Sequence, residues 1–273
     1  MSMEKFVSYA ATSFTLPEIC LRIRDVLDDP RSDADAIAQL ISVDPSLTAK
    51  VLRLANSALF RFPSQIESIS KAVSIIGGEA LYNLVMAETA TTAFKTFDSS
   101  LIDQDKHWQQ SVYRGVIARY LAKQAKIRGS ERFFVTGILM DLSEPVVAKC
   151  DPMSFEAYKA DDEKVMPEIK QQRHFGFTFA QCSGTILERW KLPLPLYYPI
   201  QHLYDIGKLT SDIDIAVLEC ARRITLKERQ ESGVQIDIFP PAIAKTLKIE
   251  GETLGNAIEF ANKEAARLST LIQ

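Results

Sequence analysis

The sequence predicts an all-α protein made of two packed helical lobes. Three observations carry this expectation. Apolar residues recur at three- and four-residue steps in segment after segment, and side chains that cap helices stand just before several of those segments. No stretch shows a convincing period-two alternation of the kind a half-buried strand needs. About a dozen helices are expected, in an N-terminal lobe over residues 14–98 and a second lobe over residues 99–273, after an N-terminal extension of residues 1–13.

Leu16-Pro17 opens a helix that runs to about Asp28, with Ile19, Ile23, Val26 and Leu27 on one face. Ser32 is read as the cap of the next helix, with Asp35 three residues on in a capping-box-like place, followed by Ile37, Ala38 and Ile41. Asp44-Pro45 starts a third: the carboxylate accepts from a free N–H, and proline at the first helical position gives up a donor that would be orphaned there anyway. Leu47, Val51, Leu54, Ala55 and Ala58 form its apolar stripe, and Asn56-Ser57 end it because their side chains compete for backbone bonds. A loop around Phe62-Pro63-Ser64 leads to Ser68 and a short helix through Ala72, Val73 and Ile76. Gly77-Gly78 breaks the chain before a helix from about Glu79 to Phe94.

In the second lobe a long helix is predicted over 105–127. Residues 131–142, ERFFVTGILMDL, are apolar almost all round, so this helix should be central and buried. Shorter helices are expected at 153–160, 162–173 and 177–190, then longer ones at 211–227 and 252–271, with Phe239-Pro240-Pro241 as a break between the last two.

Composition narrows the function classes. Apolar residues are 47% and charged residues 25%, as in ordinary globular proteins, and the net charge of −3 gives no electrostatic case for a dedicated nucleic-acid binder. The four cysteines are scattered without a CxxC pair, which points to buried thiols in a reducing compartment. The N-terminus lacks a basic segment followed by an apolar run, and no stretch approaches eighteen uncharged apolar residues. A cytoplasmic protein with no membrane partner is expected.

Residues 44–60, DPSLTAKVLRLANSALF, resemble the DP.L..K.L.LANSA.F signature of the HDOD family, and the likeness extends over about residues 14 to 205. The resemblance implies a multi-helix HDOD fold related to the bundle of the HD metal-dependent phosphohydrolases, which hold divalent metal with histidines and aspartates from several helices. Trp108 to Ser111 looks like the family's W..S element, with Gln110 where hydrolases place a histidine. Gly137 to Asp141 looks like the G-L-L-H-D core, with Met140 at the histidine and Asp141 as a firm match. Gly176 to Phe179 resembles a G-x-x-H element, with Phe179 at the histidine. Trp190, Leu192 and Pro193 match a W.LP element, after which a His-His pair would fall at Leu203-Tyr204, leaving His202 as a shifted remnant. Around Glu219, Cys220 and Ala221 the aspartate of the last HD helix has no counterpart.

Methionine, phenylalanine and leucine cannot stand in for imidazole toward a hard divalent ion, so no catalytic residue, metal ligand set or cofactor is expected. Asp141, on an apolar helix, must find a partner, and the resemblance makes His202 a candidate, because related folds bring these two chain regions together. Met140 and Phe179 read as core filler, while His107 and His174, in polar contexts, read as exposed. Arg119, Lys123 and Lys126, reinforced by Arg114 and Arg128, form a basic stripe that reads as a solvated helix face; a phosphate-rich, nucleotide-like ligand is the other reading, and no aromatic platform favours nucleic acid. Asn56 and Ser57 have two readings, a helix end bonded to local backbone, or part of an interaction surface with Asp44 and Phe60.

The resemblance therefore implies a non-catalytic regulator in bacterial signalling, standing alone without an attached receiver or cyclic-dinucleotide module, that binds another signalling protein. Two alternatives stand beside it. One is a divergent metal-dependent phosphohydrolase acting on nucleotides or cyclic dinucleotides; the other is a metal-free module that binds a small ligand in the old cavity.

Overall fold

The computed structural model describes residues 2–32, 34–60, 65–229 and 234–271, and every regular element among them is helical. The chain opens with α1 (Met3–Ser13), α2 (Glu18–Asp28), α3 (Ala34–Ser42), α4 (Pro45–Ala55), α5 (Ile69–Ile76) and α6 (Gly78–Thr96). The middle comprises α7 (Gln104–Gln124), α8 (Arg132–Leu139), α9 (Ser143–Cys150), α10 (Pro152–Ala160), α11 (Pro167–Phe175) and α12 (Phe179–Arg189). It ends with α13 (Leu194–Gln201), α14 (Ile206–Leu209), α15 (Ile213–Arg229), α16 (Pro241–Leu247) and α17 (Gly251–Leu271). No helix among the described residues is long and apolar enough to cross a membrane.

Local chemistry sets many of these boundaries. The Asp44 carboxylate accepts from the N–H groups of Ser46 at 2.8 Å and Leu47 at 3.0 Å, with Pro45 at the first helical position. Ser68 caps α5 by accepting from Lys71 N–H. Gly77 ends α5 with φ of +83°, a backbone conformation that costs glycine nothing and other residues strain. Thr178 and Gln181 cap α12 reciprocally, each side chain bonding the other's N–H. By contrast, α3 starts at Ala34, so Ser32 stands one residue too early to cap it. The loop expected around Phe62-Pro63-Ser64 lies outside the described residues.

Both lobes share one continuous hydrophobic core, running from Phe6 through to Leu268. α8 is buried almost all round, as its sequence predicts, and packs most closely against α7. The two helices touch where glycines face each other: a Cβ on Gly137 would lie 2.6 Å from the Gly115 Cα. α17 packs on α7 and also on α4, so it joins the lobes instead of resting on the second alone.

Several helices were not legible in advance. Residues 1–13, expected as an N-terminal extension, contain α1, which buries Phe6, Val7 and Ala10 completely and packs on α9 and α12. α13 carries Pro195 in its first turn and Pro199 inside, a residue type that helix interiors disfavour. α9, α14 and α16 have eight residues or fewer, too short for a periodic stripe to stand out. α11 begins at Pro167 and not near residue 162, because Asp161 instead makes a turn by accepting from Glu163 N–H. All four cysteines are free; burial pushes the Cys20 thiol up to about 11 and those of Cys182 and Cys220 up to about 12, so they remain protonated and inert.

Candidate functional site

A cavity of about 660 Å³ opens where α7, α9, α10, α11, α12 and α15 converge. Gln110, Asp141 and Phe179 all line it, so three positions read from the HD resemblance meet in one place. Tyr204 lines it as well, whereas His202 and Met140 do not. Met140 is fully buried in the core. His202 caps the end of α13, with its ring 4.4 Å from that of Tyr198. The candidate Asp141–His202 pairing is therefore not made.

The partner of Asp141 is Arg114. This arginine is 2% exposed; its Nη1 donates to Asp141 Oδ2 at 2.5 Å and its Nε to the Gly137 carbonyl at 2.7 Å. The close approach of α7 and α8 at Gly115 and Gly137 brings that carbonyl within reach of the neighbouring arginine. A guanidinium thus sits on the one carboxylate that matches an HD metal ligand. The residues present do not fit the metal of the HD enzymes: an amide stands at 110, a phenyl ring at 179, and Asp141 is already engaged by a fixed cation. Among the described residues no group of three or more His, Cys, Asp or Glu side chains could hold an ion.

Two histidines behave differently from their polar sequence contexts. His107 is 7% exposed and lines the cavity; its Nδ1 lies 3.3 Å from Glu144 Oε2, and its ring packs against Phe94. It lies on the inward face of α7 with Ser111, Arg114 and Ala118, all buried and spaced at helical steps. His174 is half-buried and its Nε2 lies 3.0 Å from Asp161, whose carboxyl that hydrogen bond holds below its usual range.

Two tyrosines from α10 and the 202–205 turn complete the walls. Burial pushes the Tyr158 and Tyr204 phenols well above their ordinary range, so both are neutral donors at physiological pH. Arg222 crosses above the Tyr204 ring and is held by Glu219 at 2.7 and 2.8 Å and by Glu168 at 3.1 and 3.2 Å. Sequence reading missed Arg114, His107, Tyr158 and Arg222 as cavity residues. Helix phase was the available signal for the first two, since 107, 111, 114 and 118 share one face.

The basic stripe does not exist as a surface. Arg114 and Arg119 are buried, leaving Lys123, Lys126 and Arg128 exposed at and beyond the end of α7. Arg119 stacks on the Phe60 ring at 4.4 Å, donates to the Leu59 carbonyl and lies 3.8 Å from Glu131. Phe60 is consequently 4% exposed and cannot form part of an interaction surface in this state. Asp44 and Asn56 remain exposed, but their side chains bond locally. Asn56 donates to the Leu52 and Ile66 carbonyls and accepts from Ile66 N–H, while Ser57 Oγ donates to the Leu54 carbonyl at 2.7 Å.

An all-helical domain in which Gln110, Asp141 and Phe179 converge on one cavity, with Asp141 ion-paired to Arg114, is an HD-related helical domain. The chain belongs to the HDOD family: the HDOD domain model matches residues 14–206. It is similar to an HDOD domain protein of unknown function from Geobacter sulfurreducens, 21% identical with a TM-score of 0.72 over 99% of this chain and 98% of that one. It is also similar to a candidate phosphohydrolase from Shewanella amazonensis SB2B, 21% identical with a TM-score of 0.66, covering 94% and 100% of the two chains. An uncharacterized protein of Treponema pallidum (strain Nichols) is 27% identical over 197 residues, which is 70% of this chain; the match spans 37% of that protein's length. These likenesses establish the fold, which proteins of different suggested roles share, so the cavity must carry the functional argument.

Proposed function

We propose that this chain is a non-catalytic HDOD regulator, acting in the cytoplasm of a bacterium by binding another protein of a signalling pathway. The observation that supports this reading is the Arg114–Asp141 pair. A buried guanidinium bonded to the retained HD aspartate supplies the positive charge that a divalent ion would otherwise bring, and it cannot lower the pKa of a bound water as a metal does. Removing Asp141 from service leaves Gln110, Phe179 and Tyr204 as the remaining matched positions in the cavity, and an amide, a phenyl ring and a neutral phenol are poor ligands for a hard cation.

The test is elemental analysis after incubation with manganese, iron and zinc, alongside hydrolysis of a chromogenic phosphodiester. Metal far below one ion per chain, with no hydrolysis above buffer, would support the regulator. A tightly held ion together with turnover would place the divergent phosphohydrolase first.

A further inference from the structure

The charges around the cavity are unevenly satisfied. Its acidic groups are taken up from within the protein: Asp141 by Arg114, Glu144 by His107, and Asp161 by Lys170 and His174. Among the described residues, Lys159 and Lys164 at the mouth have no such partner, with Asp162 as the opposing free charge. Deeper in, two buried polar atoms of the lining residues lack any protein partner: Nη2 of Arg114 and Nε2 of His107. Asp141 engages only one of the two terminal nitrogens of the guanidinium, and it is itself 25% exposed. A guanidinium edge is built for two parallel bonds to a planar or tetrahedral oxyanion, and here half of that edge is unused.

We infer that the cavity is an oxyanion-binding site, in which a phosphate or carboxylate group of a small ligand engages Arg114 in competition with Asp141, with His107 as a second contact. Phe179 and Tyr158 wall the site and give the rest of such a ligand an apolar flank. Because Nη2 and Nε2 are sealed in the free protein, binding requires Asp141 to give way, so the Asp141 carboxylate is a built-in competitor of the ligand. This rests on the reading of the chain as a regulator, and it names the chemistry of one signal such a regulator could receive.

The test is isothermal titration and thermal melting of the full chain with inorganic phosphate and, separately, with acetate, each against chloride at equal ionic strength. Saturable binding of either probe above the chloride control is expected, and the two arms tell phosphate from carboxylate. Arg114→Met should weaken it at least tenfold. Asp141→Asn removes the competing charge and should tighten it severalfold; this variant carries the test should Arg114→Met not fold. No binding above chloride would overturn the inference, and so would an affinity unchanged or weakened in Asp141→Asn. Neither result depends on metal content or hydrolysis, so failure here is separable from failure of the regulator reading.

Discussion

Asn56 and Ile66, ten residues apart, bond each other in both directions: the Asn56 side-chain amide donates to the Ile66 carbonyl at 2.8 Å and accepts from the Ile66 N–H at 2.8 Å. The same amide donates to the Leu52 carbonyl in the last turn of α4. One side chain therefore ties the end of α4 to the chain approaching α5, standing in for the backbone bonds that a regular element would supply. The asparagine of the LANSA segment has a structural role whatever else it does.

Asn56→Ala should lower the unfolding free energy by about 1–3 kcal/mol, since three partly exposed hydrogen bonds are lost and water replaces some of them. Asn56→Asp keeps the acceptor toward Ile66 N–H but sets a carboxylate oxygen against the Leu52 and Ile66 carbonyls at a helix C-terminus, and should cost at least as much as Asn56→Ala. Urea melts of the three proteins check the order. A variant as stable as the parent that no longer binds its partner would instead assign Asn56 to recognition.

The α7–α8 contact makes a second prediction. A methyl group at Gly137 would meet the Gly115 backbone at 2.6 Å, and backbone cannot turn aside as a flexible side chain can. Gly137→Ala should cost about 2–3 kcal/mol through overpacking. It should also disturb the Arg114–Gly137 bond, because separating the helices moves the carbonyl away. Thermal melting gives the first effect, and a weakened phosphate or acetate titration gives the second.

What the sequence made legible, and what it hid, follows the range of the interactions. Asp44, Ser68 and Gly77 announce their helix boundaries because each acts on backbone within a few residues. α8 announces its burial because apolar residues surround it. The partner of Asp141 was hidden because Arg114 lies 27 residues away and reaches it only through the α7–α8 glycine contact. Lys106 and Asp105 beside His107 suggested solvent, yet helix phase turns His107 inward while those neighbours face out. α13 is not among the expected helices; Pro195 lies in its first turn, where a missing N–H is harmless, while Pro199 inside it breaks the pattern a helix is read from.

Glu88 supplies a pH prediction. It is 5% exposed on α6, and burial raises its pKa against the opposing pull of Lys50, whose Nζ lies 3.5 Å away. A carboxyl whose folded pKa is raised favours the fold while protonated, and that contribution is lost as pH rises through the folded value. Glu88→Gln should therefore raise the melting temperature at pH 7, with the advantage shrinking as pH falls toward 4.5. Lys50 is about a third exposed and can turn to water once its partner is neutral. Melting curves between pH 4 and 7 check the slope; a lower melting temperature for the variant at pH 7 would mean the ion pair outweighs the burial of its charge.

The last prediction concerns α17, which lies beyond the residues matched by the family model. Leu254, Ala257, Ala261, Ala265 and Leu268 form its buried face, and Trp108 Nε1 donates to the Ser269 carbonyl at 3.2 Å. Phe260 packs on Tyr120 of α7 with ring centroids 5.5 Å apart, and the helix also contacts α4. Ending the chain at residue 250 would expose the apolar face of α7 and leave the Trp108 N–H without its buried acceptor. Each large side chain uncovered forfeits about 1.5–3 kcal/mol, comparable in sum to the whole stability of an ordinary domain. The truncated chain should accordingly be insoluble or lack a cooperative thermal transition, where the full chain melts cooperatively. A soluble truncation with an unchanged melting temperature would show that α17 is an accessory laid on a self-sufficient core. The packing of Trp108 between Phe94 and Ser269 argues the opposite, because it makes α17 part of the wall that holds α6 and α7 together.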